Sequence, residues 1–106
     1  MKNILFINAC LRDNSRTLKI AKEVLSNLEG NIKEVDLYQE DIKPLDNDKL
    51  NIRDKAFLEN DFSDDYFRYA KQFKEADEIV IAAPYWDLSF PSVLKIYLEN
   101  ICINGM

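Results

Sequence analysis

The fold turns on "VIAAPYWDLSFPSVLKIYL", Val80 to Leu98. The stretch opens as a continuous apolar run, passes through Pro84, Tyr85, Trp86, Asp87, Leu88, Ser89 and Pro91, and ends in a helical pattern. An apolar run without polar alternation predicts a strand covered on both faces, as in parallel sheets. Two large aromatics then stand where a connecting loop is ordinarily small and polar. Pro91 suits the first turn of a helix, where a missing N–H leaves no bond unmade. Ser89 or Phe90 is its expected cap, and Leu94, Tyr97, Leu98 and Ile101 are its apolar stripe. Asn104-Gly105 is its expected end.

Working outward, "NILFINA" at 3–9 is a second buried strand. "RTLKIAKEVLSNLEG" at 16–30 places Leu18, Ala21, Leu25 and Leu28 on one helical face, with Val24 beside them and Gly30 as the stop. "IKEVDLY" at 32–38 reads as another strand. Residues 39–62 lose the pattern, so a long surface excursion is expected there, with one short helix near Lys49–Leu58. Ser63 followed by two acids starts the next helix, through "DDYFRYAKQFKEA" at 64–76, before the strand "DEIVIAA" at 77–83. Strand and helix alternate. That order predicts an α/β protein in three layers: a parallel sheet of about three strands, order 2-1-3, with helices on both faces.

With 106 residues, 47% of them hydrophobic and 31% charged, one globular domain over 1–106 is expected. A net charge of −5 argues against nucleic acid or an anionic membrane as the main partner. With no histidine, the commonest metal ligand and general base are absent, and no metal centre is expected. Cys10 and Cys102 follow no metal spacing and fit free thiols in a reducing, cytoplasmic setting, although a disulfide stays open. No run approaches the roughly 20 apolar residues of a membrane span. "MKNILFINAC" is broken by Asn8 and reads as strand, not as a leader.

In a 2-1-3 sheet, the loops after strands 1 and 3 flank one crevice at the carboxyl edge, where such folds bind ligands. The first loop offers Arg12, Ser15, Arg16 and Thr17 beside a helix N-terminus, a set suited to an anion, though it has no glycine. The same residues also fit a capping serine with two solvated arginines. Tyr85 and Trp86 fit either a wall for a flat ligand or a cover for the core. Cys10 to Arg16 has the C-x5-R spacing of a low-molecular-weight phosphatase loop, which requires Cys10 as nucleophile. Against that stand the missing glycine and Asp13. A receiver domain has the same topology but needs an Asp where Ala82-Ala83-Pro84 stands.

Together, "ILFINACLRDNSRTLKIAK" and "ADEIVIAAPYWDLSFPSVLKIYLENICINGM" resemble the flavodoxin-like NAD(P)H-dependent oxidoreductases, the branch of quinone reductases and FMN-dependent azoreductases. Pro84, Tyr85, Trp86, Asp87, Pro91, Leu94, Lys95 and Tyr97 carry the more specific motif. The resemblance implies FMN as cofactor, NAD(P)H as co-substrate and a small-molecule electron acceptor. It implies that Ser15, Arg16 and Thr17 hold the phosphate, with Cys10 and Arg12 nearby. Pro84, Tyr85, Trp86, Asp87 and Leu88 then lie at the flavin ring. It also implies a fold cut short before strands 4 and 5, hence weak FMN binding by this chain alone. Strand 3 then becomes an unprotected edge, and a homodimer or higher oligomer follows as the expectation. A non-catalytic half-domain acting through self-association is the alternative.

Overall fold

Strand β1 (Asn3–Asn8) is the centre of a three-stranded sheet of order β2-β1-β3, flanked by β2 (Asn31–Asp36) and β3 (Glu78–Ala82). Both pairings are parallel, in the register Asn3↔Asn31 and Ile4↔Glu78. This is the expected topology. The computed structural model describes residues 2–10, 16–40, 42–84 and 91–103.

Alternate residues of β1 feed two cores, as the pleat requires. Ile4 and Phe6 pack with Leu18, Ala21 and Leu25 of α1 (Arg16–Ser26), with Cys10 and Ala82 alongside. Leu5 and Ile7 face the other way. They meet Leu37 of α2 (Leu37–Glu40), Tyr69 of α4 (Arg68–Glu75), and Leu94 and Tyr97 of α5 (Ser92–Ile101). The sheet therefore lies between α1 on one face and α2, α4 and α5 on the other.

Several local expectations are corrected. Helix α3 (Asn47–Glu59) occupies much of the excursion and is longer than the sequence pattern indicates. Asp46 caps it by accepting from Lys49 N–H at 2.9 Å, and Asn60 ends it at φ 51°. The second strand stops at Asp36, because Tyr38 N–H donates to Asp36 Oδ1 and turns the chain into α2. Asp64, not Ser63, caps the segment before α4, accepting from Tyr66 N–H at 2.8 Å in a 3-10 turn over Asp65–Phe67. Helix α1 ends at Ser26, so Gly30 is not its stop, and Val24 is exposed beside the buried stripe. Helix α5 begins at Ser92, with Pro91 itself in the flanking position. Leu94 and Tyr97 are buried within the chain's own core, which leaves Leu98 as the exposed residue of that stripe. Ser89, Phe90, Asn104 and Gly105 lie outside the described residues.

Candidate functional site

Strands β1 and β3 leave the sheet side by side. Asn8 is paired with Ala82, and Ala9 N–H donates to Ala82 O at 2.8 Å. The two loops singled out in the sequence therefore start from adjacent points on the carboxyl edge. Beyond this pairing a chain of hydrogen bonds crosses all three strands. Asn8 Nδ2 donates to Glu34 Oε2 on β2 at 3.2 Å. Asn8 Oδ1 accepts from Cys10 N–H at 2.9 Å. Cys10 Sγ donates to Ala82 O on β3 at 3.6 Å.

Cys10 is buried, its sulphur turned to a carbonyl oxygen and packed among Phe6, Leu18 and Ala82. A thiol in that position packs as a small apolar side chain and donates to a carbonyl. Arg16 opens α1 on the exposed side and Thr17 follows half-buried. The first turn of α1 contains no acidic residue. Pro84 is half-buried beyond β3 and Pro91 is buried ahead of α5. Arg12, Ser15, Tyr85, Trp86, Asp87 and Leu88 lie outside the described residues.

Asn8 is the residue that reading the sequence missed. It is 4% exposed, and its amide makes a hydrogen bond at each end. A single polar residue closing an otherwise apolar strand was the available signal, since a buried amide needs partners. A separate groove of about 220 Å³ is lined by Glu40, Lys43, Tyr66, Arg68, Tyr69 and Asn100, among others. There Tyr66, Tyr69 and Asn100 spend their hydrogen bonds on protein partners. Among the described residues no His, Cys, Asp or Glu cluster is arranged for a metal. Among them, too, no helix is long and apolar enough to cross a membrane.

A parallel sheet of order 2-1-3, helices on both faces and two loops diverging from its carboxyl edge define the doubly wound α/β class that binds ligands at that edge. The profile of the flavodoxin-like fold family matches residues 2–106, and the chain belongs to that family. It is 34% identical over 113 residues to an FMN-dependent NADH:quinone oxidoreductase of Clostridium perfringens strain SM101, covering 100% of this chain and 57% of the relative. It is 35% identical over 114 residues to FMN-dependent NADH:quinone oxidoreductase 2 of Clostridium acetobutylicum, covering 100% of this chain and 56% of that one. Among solved structures, the azoreductase from Bacillus anthracis strain Sterne superposes with a TM-score of 0.79 at 27% identity, over 99% of this chain and 57% of that chain. The chain thus spans little more than half the length of these relatives.

Proposed function

We propose that this chain supplies the phosphate loop and one ring-side loop of an FMN-dependent oxidoreductase that draws electrons from NAD(P)H and passes them to a quinone or azo acceptor. The observation that carries this reading is the adjacency of Asn8 and Ala82, from which both motif-bearing loops depart. The described residues fit a flavin phosphate. Arg16 is exposed at the start of α1, Thr17 stands next to it, and no acid opposes a dianion in the first turn. In the proposed site Arg16 and Thr17 bind the phosphate with the helix N-terminus, Pro84 directs the chain from β3 toward the ring, and Tyr85 and Trp86 wall the ring from water. FMN, when bound, supplies the redox chemistry, and the protein supplies position and electrostatics. No histidine base is needed for hydride transfer itself.

Titration with FMN tests the proposal. Quenching of flavin fluorescence is expected, with weak affinity. Arg16→Ala should weaken binding by about ten- to a hundredfold, the worth of one charge-assisted hydrogen bond. Absence of quenching at high protein concentration would remove FMN from this chain. Cys10→Ser should leave binding within a few-fold of wild type. Hydrolysis of an aryl phosphate that disappears in Cys10→Ser would favour the phosphatase reading instead.

A second reading, self-association without catalysis, draws on β3. Among the described residues that strand pairs on one side only, with β1, and its Ile81 is 45% exposed. In this reading two chains meet at the β3 edge as a homodimer. Sedimentation decides it: a monomer at micromolar concentration in wild type sinks the dimer. A dimer that Ile81→Lys dissociates supports it. Both thiols are free, which suits the cytoplasmic setting proposed for either reading.

A further inference from the structure

We infer that Asn8 is a positioning residue for the candidate flavin site, acting through Cys10 and braced by Glu34. Three bonds form one strut across the carboxyl edge: Glu34 Oε2 to Asn8 Nδ2 at 3.2 Å, Asn8 Oδ1 to Cys10 N at 2.9 Å, and Cys10 Sγ to Ala82 O at 3.6 Å. Asn8 and Cys10 come from β1 and the chain just beyond it, Glu34 from β2 and Ala82 from β3, so the strut sets where the chain leaves β1 relative to β2 and to β3.

The arrangement depends on an amide. Asn8 must accept from a backbone N–H and donate to a carboxylate at the same time, with 4% of its surface exposed. Only a side chain with both an acceptor and a donor end does this without leaving a buried group unpaired. Aspartate keeps the acceptor but faces Glu34 with a like charge, and leucine loses both bonds. Because Asn8 aims the N–H of Cys10 inward, it fixes the backbone from which the phosphate loop begins. The role toward FMN rests on the functional reading above; the strut itself does not.

The test exchanges the two partners. In Asn8→Asp the pairing with Glu34 is broken. In Asn8→Asp combined with Glu34→Gln an amide again faces a carboxylate, with the net charge of the wild type. Two readouts are taken on the full chain: hydrogen exchange of the Cys10 amide without ligand, and affinity for FMN. In Asn8→Asp the acceptor is kept but repulsion from Glu34 swings it off the Cys10 N–H, so exchange should speed and FMN binding weaken, each by about tenfold, the equivalent of one lost hydrogen bond. The double variant should bring both to within about twofold of wild type, a rescue that general destabilisation does not predict. Should Asn8→Asp fail to fold, Glu34→Ala alone, at an exposed position, should move both readouts in the same direction by a few-fold. Unchanged Cys10 exchange, or no rescue in the double variant, overturns the strut. Altered exchange with unchanged FMN affinity overturns the positioning role while the flavin reading stands. A wild type that does not bind FMN at all overturns the flavin reading, and the positioning role falls with it; Cys10 exchange still decides the strut.

Discussion

The guanidinium of Arg53 and the phenol of Tyr66 are locked together: Arg53 Nε donates to Tyr66 Oη at 3.0 Å while the guanidinium carbon lies 5.8 Å from the ring centroid. Tyr66 Oη donates onward to Asn100 Oδ1 at 3.0 Å, and Arg53 also reaches the carbonyls of Glu99 and Cys102. Those carbonyls lie at the C-terminal end of α5, where helix groups lack intrahelical partners and favour a cation. Asn100 completes the junction by donating to Lys43 O at 3.1 Å. The excursion is thus fastened to α5 by a side chain of its own helix and by a buried amide.

Arg53→Ala should therefore cost about 1.5–3 kcal/mol, the range for bonds to a charged group. Tyr66→Phe should cost less, about 1 kcal/mol, because it removes only the hydroxyl relay. Denaturant melts give the totals. Hydrogen exchange gives the location, with faster exchange expected in α3 and in the last turn of α5. If both variants melt like wild type, the junction contributes nothing to stability.

Tyr97 presents the opposite case. It is fully buried on α5, its ring meets Tyr69 edge-on at 6.1 Å between centroids, and its hydroxyl has no hydrogen-bond partner among the described residues. A buried unpaired hydroxyl costs about 1–3 kcal/mol. Tyr97→Phe keeps the ring and removes the orphan group, so it should stabilise the fold by about 1 kcal/mol. At this chain length that raises Tm by roughly 4–8 °C. A lower Tm in Tyr97→Phe would reveal a partner for the hydroxyl.

The same residue sets an alkaline limit. Burial pushes the Tyr97 phenol far above its ordinary range, with the neighbouring Tyr69 adding to the shift. Burial also raises Tyr69. A phenol that ionises near pH 10 when unfolded but stays neutral when folded stabilises the fold fully below that pH. Above it the unfolded state releases protons that the folded state retains, and stability falls as pH rises. Wild type should lose stability progressively above about pH 10, and Tyr97→Phe should lose it less steeply. Parallel pH profiles of the two proteins would contradict the assignment.

The sheet was legible because its signals are redundant. "NILFIN" and "EIVIA" are apolar on both faces, and alternation with helices fixes parallel pairing. The excursion was legible in part: a helix near Lys49–Leu58 is expected and present, but not its full extent. Helix α3 is apolar on several sides, with Ala56 buried and Leu50, Phe57 and Leu58 exposed, so no single stripe marks its ends. At the site, Arg16 and Thr17 were legible as helix-start residues. Asn8 was legible only as one polar residue closing an apolar strand; its partner Glu34 was not, because that relation lies between strands. Gly30 failed for a similar reason: nearby sequence suggests a helix stop, while its true constraint comes from Lys2.

That constraint gives the last prediction. Gly30 has φ +151°, and a Cβ built there lies 2.5 Å from Lys2 O, 3.2 Å from Ile4 Cδ1 and 3.2 Å from Lys2 Cβ. Lys2 O cannot retreat freely, because it accepts from Asn31 N–H at 2.8 Å just where the β1–β2 register begins at Asn3↔Asn31. Gly30→Ala must therefore shift backbone against backbone, strain the positive φ, or break the first bond of the ladder, at a cost of about 1–3 kcal/mol. Gly30→Asn separates this account from a helix-stop role. Asparagine would serve as a helix stop in the left-handed helical region, but at φ +151° it is strained like alanine and its Cβ meets the same carbonyl. Both variants should lower the denaturant midpoint by similar amounts, with faster amide exchange at Asn31. Near-wild-type stability in Gly30→Asn would contradict both the approach of Lys2 and the strained φ as the reason for glycine, and would favour the helix-stop role.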